Sequence, residues 1–128
     1  MESKRKRTIS IIASDTDIGL LYDAILRSKG YVPQLSTYEG EIFQVILDFL
    51  PQLVVLHLDM RFLASIFEFL VRIRQTYDED KHLAILLVGQ KDWFDPRLES
   101  LVDVCMTSPV DPPSFLQIVE DLLQKKLP

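Results

Sequence analysis

Cysteine and glycine are scarce in this chain of 128 residues, and each scarcity excludes a class of protein. The single cysteine, Cys105, allows neither an intrachain disulfide nor a cysteine-rich metal site, which suits a reducing cytoplasm. Only four glycines occur, and none lies in a GxGxxG or P-loop array. A GxSxG nucleophile elbow is also missing. The sequence therefore offers no standard phosphate-binding loop and no standard hydrolase nucleophile.

Long apolar runs and an excess of positive charge are missing as well. No apolar stretch reaches the ~18 residues of a membrane span, and no signal-peptide core follows the basic cluster at residues 4–7. The net charge of −5 argues against direct contact of this domain with nucleic acid. A hydrophobic content of 48% is enough for one core. We expect a single cytoplasmic domain over residues 1–128, with residues 1–7 as a basic lead-in and no membrane contact.

Apolar residues alternate between strand and helix spacing along the whole chain. Strands are predicted at residues 8–13, 31–36, 53–58, 84–89 and 103–107. Helices are predicted at residues 17–30, 39–50, 62–77, 95–102 and from residue 112 onward, with Asp95 and Asp111 as N-caps. Such alternation predicts an α/β fold in which an open, doubly wound parallel sheet carries helices on both faces.

Ionisable residues gather where the predicted strands end, and this is the edge at which open parallel sheets bind ligands. His57 closes the apolar run LVVLH, and Asp59, Asp15 and Asp17 lie near the same edge. One histidine with carboxylates can hold a weak divalent ion, but the spacing matches no zinc motif. Carboxylates also serve as helix caps, and we prefer that role here. His57 is then expected to bond to a neighbour such as Ser14 or Ser108.

The spacing of these elements resembles the receiver domain of bacterial response regulators, the CheY-like domain. The segments PQLVVLHLDM (51–60) and TSPVDPPSFLQIV (107–119) carry the resemblance most specifically, and IIASDTDI (11–18) and ILLVGQ (85–90) agree in register. The resemblance covers Thr8 to about Lys125. It implies a three-layer, flavodoxin-like sheet of five parallel strands in the order 2-1-3-4-5, with five helices.

The resemblance also implies a site, and this chain departs from the family's pattern throughout it. Receivers use two acidic metal ligands, an aspartate that accepts the phosphoryl group, a hydroxyl residue and a lysine. These five places fall here on Ala13, Ser14, His57, Val88 and Ser108. A pseudo-receiver is implied, which is not an enzyme and uses no metal or cofactor. Only the following proline, Pro109, is retained, and in the family its peptide bond is usually cis.

Two surfaces are candidates for contact with a protein partner or in a homodimer. The first lies at the predicted fourth helix and contains Trp93, Phe94 and Arg97, near Cys105. In the family the position of Cys105 usually holds an aromatic switch residue, so a cysteine suggests that this switch is lost. The second is an extra apolar face of the third helix, with Leu63 and Phe67.

Two other functional classes stay open from the sequence. The chain could be a flavodoxin-like domain that binds a small ligand or catalyses a reaction, although it lacks the phosphate loop that such a domain needs. It could also be the regulatory domain of a longer transcription factor or kinase, because the basic segment QKKLP (124–128) could lead into a linker. The signalling pathway and the partner are not encoded in any motif.

Overall fold

A computed structural model describes residues 7–38, 41–77 and 83–125. Five parallel strands form one sheet in the order β2-β1-β3-β4-β5, which confirms the predicted fold class. The strands are β1 (Thr8–Ile12), β2 (Val32–Ser36), β3 (Leu53–His57), β4 (Ala84–Gly89) and β5 (Val104–Thr107). Pro33 lies in the edge strand β2, as a residue without a backbone donor predicts.

Five α-helices connect the strands and cover both faces of the sheet. They are α1 (Thr16–Arg27), α2 (Ile42–Phe49), α3 (Leu63–Thr76), α4 (Pro96–Glu99) and α5 (Pro112–Lys125). The side chain of Asp95 accepts a hydrogen bond from the backbone of Leu98, and Asp111 accepts one from Ser114. The predicted N-caps of α4 and α5 are therefore confirmed. No helix in the described ranges is long and apolar enough to cross a membrane.

The sheet separates two hydrophobic cores. One core lies beneath α2, α3 and α4 and includes Leu56 and Ile66, and the other lies beneath α1 and α5 and includes Val55 and Phe115. Because successive side chains of a strand point to opposite faces, β3 contributes alternately to each core. Every residue of β4 is buried, as its continuous apolar run predicts for a central strand.

Helix α4 ends at Glu99, so the predicted helix to residue 102 is too long. Arg74 of α3 explains the early end. Its guanidinium donates to the carbonyl oxygens of Leu101 and Leu83, both at 2.8 Å, and pairs with Asp103 at 3.0 Å. These bonds hold the chain after α4 in a turn against β4, where the helix cannot continue.

The helical spacing of Ile18, Leu21, Ile25 and Leu26 predicts that Leu21 lies on the buried face of α1, but the helix is rotated relative to that pattern. Leu21 is exposed, and Tyr22 is buried in its place. Gly19 explains the rotation because a Cβ atom there would lie only 2.5 Å from Leu35 of β2. The helix therefore turns its glycine toward the sheet, in a contact that a larger residue would obstruct.

The remaining differences concern the ends of elements. Helices α2 and α3 begin at Ile42 and Leu63, and a short 3-10 turn at Met60–Phe62 precedes α3. Strands β1 and β3 stop one residue earlier than predicted. The predicted loop at 78–82, the lead-in at 1–6 and the last residues 126–128 lie outside the described residues.

Candidate functional site

His57 is the last residue of β3, and its side chain points toward α1 and α5 because it alternates with Leu56. Its Nδ1 atom lies 3.3 Å from the hydroxyl oxygen of Tyr22. The Tyr22 ring in turn stacks on Phe115 of α5, with centroids 5.3 Å apart. The expectation that His57 bonds to Ser14 or Ser108 is therefore wrong, and the partner comes from the middle of α1.

The charge state of His57 follows from burial. Desolvation lowers the pKa of the ring, and the negative charges of Asp15 and Asp59 oppose this only in part. Burial also raises the pKa of Tyr22 to about 12, so its hydroxyl keeps its proton at neutral pH. The pair suits a neutral imidazole whose Nδ1 accepts a hydrogen bond from the phenol.

Tyr38 holds the backbone of His57 from the opposite face of the sheet. Its hydroxyl donates to the carbonyl oxygen of His57 at 2.5 Å, and its ring stacks on Phe62 at 5.4 Å. Burial and the charge of Asp59 hold the pKa of Tyr38 well above its ordinary value. Sequence reasoning missed Tyr38 because an aromatic residue between β2 and α2 gives no local sign of its partner.

Ser14, Asp59 and Arg61 form a closed cluster beside His57. Asp59 accepts a hydrogen bond from the hydroxyl of Ser14 and two from the Arg61 guanidinium, at 2.7 and 3.1 Å. It also accepts one from the backbone of Arg61, as the predicted cap of the turn that precedes α3. These bonds hold the pKa of Asp59 far below its usual range, and the bonds from the Arg61 side chain contribute most to the shift. The carboxylate is thus ionised and already engaged on both oxygens.

Asp15, another carboxylate at this edge, also has a structural role. Asp15 is the N-cap of α1 and accepts from the backbone of Asp17 and Ile18, so its predicted capping role is confirmed. The resemblance assigns the family's two acidic metal ligands to the positions of Ala13 and Ser14. Ala13 is buried in the core. In the described part of the chain, no group of three or more histidine, cysteine, aspartate or glutamate side chains is close enough to hold a metal ion.

Val88 is the residue that the resemblance assigns to the family's hydroxyl position. It lies in the interior of the protein, one residue before the end of β4. Val88 is fully buried in the core beneath α1 and α5, so its side chain cannot face the loops. The residue at the strand end is Gly89, where a Cβ atom would approach Leu58 to 3.0 Å. Neither Val88 nor Gly89 carries a hydroxyl group.

Ser108 follows β5 at the same edge. Its backbone N–H donates to the carbonyl oxygen of Gly89 at 2.8 Å. The Ser108–Pro109 peptide bond is cis, as the resemblance implies. Ser108, where the resemblance implies a lysine in the family, therefore lies next to β4 and carries a short, uncharged hydroxyl.

The two candidate interaction surfaces meet in the structure. Trp93, Phe94, Leu63 and Phe67 are each partly buried against the core beneath α2, α3 and α4. The Arg97 guanidinium lies 5.4 Å above the Phe67 ring, and this cation–π contact joins α4 to the second face of α3.

Cys105 lies beside this joined surface as a half-buried residue. Burial, with a smaller effect from the charge of Glu99, raises the pKa of its thiol to about 11. A thiol with so high a pKa is a poor nucleophile at neutral pH, so Cys105 serves here as an apolar side chain.

No protein-family model and no curated protein matches the sequence. Solved structures match it through the fold. The chain is similar to the chemotaxis protein CheY4 of Vibrio cholerae, at 15% identity and a TM-score of 0.74, over 92% of this chain and 99% of that one. It is also similar to a CheY-like response regulator receiver domain from Methylobacillus flagellatus, at 14% identity and a TM-score of 0.75, over 92% and 99% of the two chains.

A third similar structure is a longer protein. NtrX from Brucella abortus matches with a TM-score of 0.77 and 17% identity, over 95% of this chain but only 27% of that one. At these identities the likeness shows the fold alone. This chain therefore has the fold of a response regulator receiver domain.

Proposed function

We propose that this chain is a pseudo-receiver, a signalling domain of the two-component type that acts by protein contact and not by phosphoryl transfer. The observation that carries the proposal is that the polar side chains at the end of β3 already bond to neighbouring side chains. The position that ends β3 holds a histidine bonded to Tyr22, and the neighbouring carboxylate of Asp59 is saturated by Ser14 and Arg61.

Phosphoryl transfer depends on positioning and on cations that neutralise the transferring oxygens. A divalent cation needs oxygen ligands with free lone pairs, and Asp59 already directs both of its oxygens at hydrogen-bond donors. Among the described residues, Arg61 is the cation beside the Asp59 carboxylate, and its guanidinium already forms an ion pair with that carboxylate. The edge can thus neither hold a metal as receivers do nor stabilise a phosphoryl group without first being taken apart.

The surface formed by α3 and α4 is the proposed place of protein contact. Trp93 and Phe94 offer aromatic area beside Arg97, and aromatic residues and arginine are common at the centres of interfaces. Arg97 pairs with Asp95 at 3.6 Å and lies over the Phe67 ring, but it is 75% exposed, so an acidic partner group can still reach its charge. We propose a protein partner or a second copy of the chain as the occupant, and no catalytic activity.

A regulatory role within a longer protein is a second candidate. The match to about a quarter of NtrX supports it, since there a domain of this fold is one part of a longer chain. The small-ligand alternative has no comparable support among the described residues.

The test is the mass of the intact protein after incubation with magnesium and acetyl phosphate. The proposal expects no added phosphoryl group at neutral pH. A receiver domain of known activity, treated in parallel, is the positive control. A stable added phosphoryl group that disappears in His57→Ala would overturn the proposal.

A further inference from the structure

The outer face of α1 is the most apolar exposed surface that a regular element of the described chain presents. Leu20 and Leu21 are 52% and 53% exposed, and an adjacent pair of exposed leucines is less usual than a single one. Ala24 follows one turn later and is also exposed. At about 100° per residue these three side chains point in one direction, opposite to the buried Gly19, Tyr22 and Leu26. We call Leu20, Leu21 and Ala24 the outer α1 face.

Charge is arranged in opposite senses at the two ends of this face. Asp15 and Asp17 lie at its beginning, and Arg27 and Lys29 lie at its end. No basic side chain of the described residues lies within ion-pair distance of Asp17. Arg27 donates to Asp23 at 3.0 Å and to the carbonyl oxygen of Pro33 at 3.3 Å but remains 59% exposed. A helix that is acidic at one end and basic at the other is complementary to an antiparallel copy of itself.

The spacing of the residues allows a register in which charged and apolar positions both match. A two-fold axis that crosses α1 at the level of residue 22, on the outer side of the helix, places Asp17 of one copy opposite Arg27 of the other. The same axis places Leu20 opposite Ala24, so that a large side chain meets a small one and the helices can approach closely. All of these contacts occur twice, as a closed two-fold interface requires.

We propose that two copies of this chain associate through antiparallel contact of their outer α1 faces. The interface leaves the surface of α3 and α4 free for another protein. It does not depend on the proposed function, because His57 and the surrounding edge take no part in it. One pair of helices buries less than the roughly 1,600 Å² of a standard stable interface, so the association is weak. We expect a dissociation constant between about 10 µM and 1 mM.

Sedimentation equilibrium of the full chain tests the proposal over about 10 µM to 1 mM. The double variant Leu20→Gln/Leu21→Gln should weaken self-association at least tenfold, and its thermal midpoint should stay near that of the parent. Leu50→Gln is the matched control because Leu50 is 66% exposed but lies outside α1, and it should change nothing. A chain that stays monomeric throughout, or a dimer that the double variant leaves intact, would overturn the proposal.

Mixing two charge variants tests the antiparallel register itself. Asp17→Arg sets one arginine against another, because position 17 of one copy faces Arg27 of the second copy. Arg27→Glu likewise sets a glutamate against Asp17, so each variant alone should stay monomeric. A mixture of the two variants restores one of the two pairs of opposite charge and turns the other into its reverse, arginine facing glutamate.

The mixture should therefore dimerise with an affinity close to that of the parent. If the two variants remain folded and the mixture stays monomeric, the two-fold arrangement is wrong. If Arg27→Glu unfolds, the leucine variants decide the proposal alone.

Discussion

The interior of the sheet and the edge where its strands end are built from different interactions. Leu56 is fully buried and packs among apolar side chains from three helices, whereas His57, the next residue, lies among hydrogen-bonding groups. The interior needs only apolar side chains of suitable volume at alternate positions. The edge depends on single side chains that meet through space. The interior of this fold therefore does not depend on which polar groups lie at the edge.

Removing Phe115 should produce the largest effect, because this residue belongs to the interior and supports the edge. Phe115 is fully buried and stacks on Tyr22, which bonds to His57. Phe115→Ala should lower the free energy of unfolding by about 3–5 kcal/mol. Urea denaturation measures this loss. The exposed Leu21→Ala is the control, with an expected change below ~0.5 kcal/mol, and equal losses in the two variants would contradict the packing described here.

Arg74 is a polar residue that stabilises the turn after α4 and takes no part in the contacts around His57. Arg74→Met keeps much of the length of the side chain but removes its donors to two carbonyl oxygens and to the Asp103 carboxylate. The expected loss of stability is about 1–3 kcal/mol. Arg97→Met is the matched control because Arg97 is mostly exposed, and it should lose no more than ~0.5 kcal/mol. A similar loss in both variants would show that the turn after α4 does not depend on Arg74.

Two serines sharpen the comparison between interior and edge. The Ser10 hydroxyl is buried in β1 without a hydrogen-bond partner among the described residues, whereas the Ser14 hydroxyl bonds to Asp59. Ser10→Ala should raise the free energy of unfolding by up to ~1 kcal/mol, because an unpaired buried group is removed. Ser14→Ala should lower it by about 1 kcal/mol. Chemical denaturation of both variants checks the opposite signs, and a loss in Ser10→Ala would indicate a partner for that hydroxyl.

The smallest effect is the pH dependence that His57 confers. Because burial lowers the pKa of His57 in the folded state, the unfolded chain binds its proton more readily. Stability from this group is therefore complete above the unfolded pKa of ~6.5 and is lost as the pH falls toward the folded value. His57→Gln should flatten the stability profile in this acidic window, while His82 is present in both proteins. An unchanged slope would contradict the burial of the ring.

The apolar pattern of the sequence is sufficient to predict the sheet and most helices. The run of β4 and the caps of α4 and α5 are local features, and the structure confirms each of them. The predicted α4 is too long because its end is set by Arg74, a residue more than twenty positions earlier in the chain. Local spacing contains no sign of such a contact.

The site is harder to predict for the same reason. The sequence indicates that His57 lies at the edge, but its partner, Tyr22, approaches from α1 and is absent from the sequence-based candidates. The apolar spacing of α1 predicts that Leu21 is buried, but the structure buries Gly19 and Tyr22 and leaves both Leu20 and Leu21 exposed. Val88 lies one residue before the end of β4, and a continuous apolar run does not show where its strand ends.

Phosphoryl incorporation in a restoration series shows whether this edge of the sheet can take part in phosphoryl transfer. The parent, His57→Asp and the variant Ala13→Asp/Ser14→Asp/His57→Asp/Ser108→Lys would be incubated with magnesium and acetyl phosphate, and the mass of each intact protein would be measured. We expect no incorporation in the parent or in His57→Asp, because the single change restores no metal ligands at positions 13 and 14 and no lysine, and Asp59 stays engaged with Arg61. The fourfold variant, if folded, shows whether all four groups together are sufficient for phosphoryl incorporation. Robust, magnesium-dependent phosphorylation of the parent or of His57→Asp would contradict the claim that this edge is closed to phosphoryl transfer.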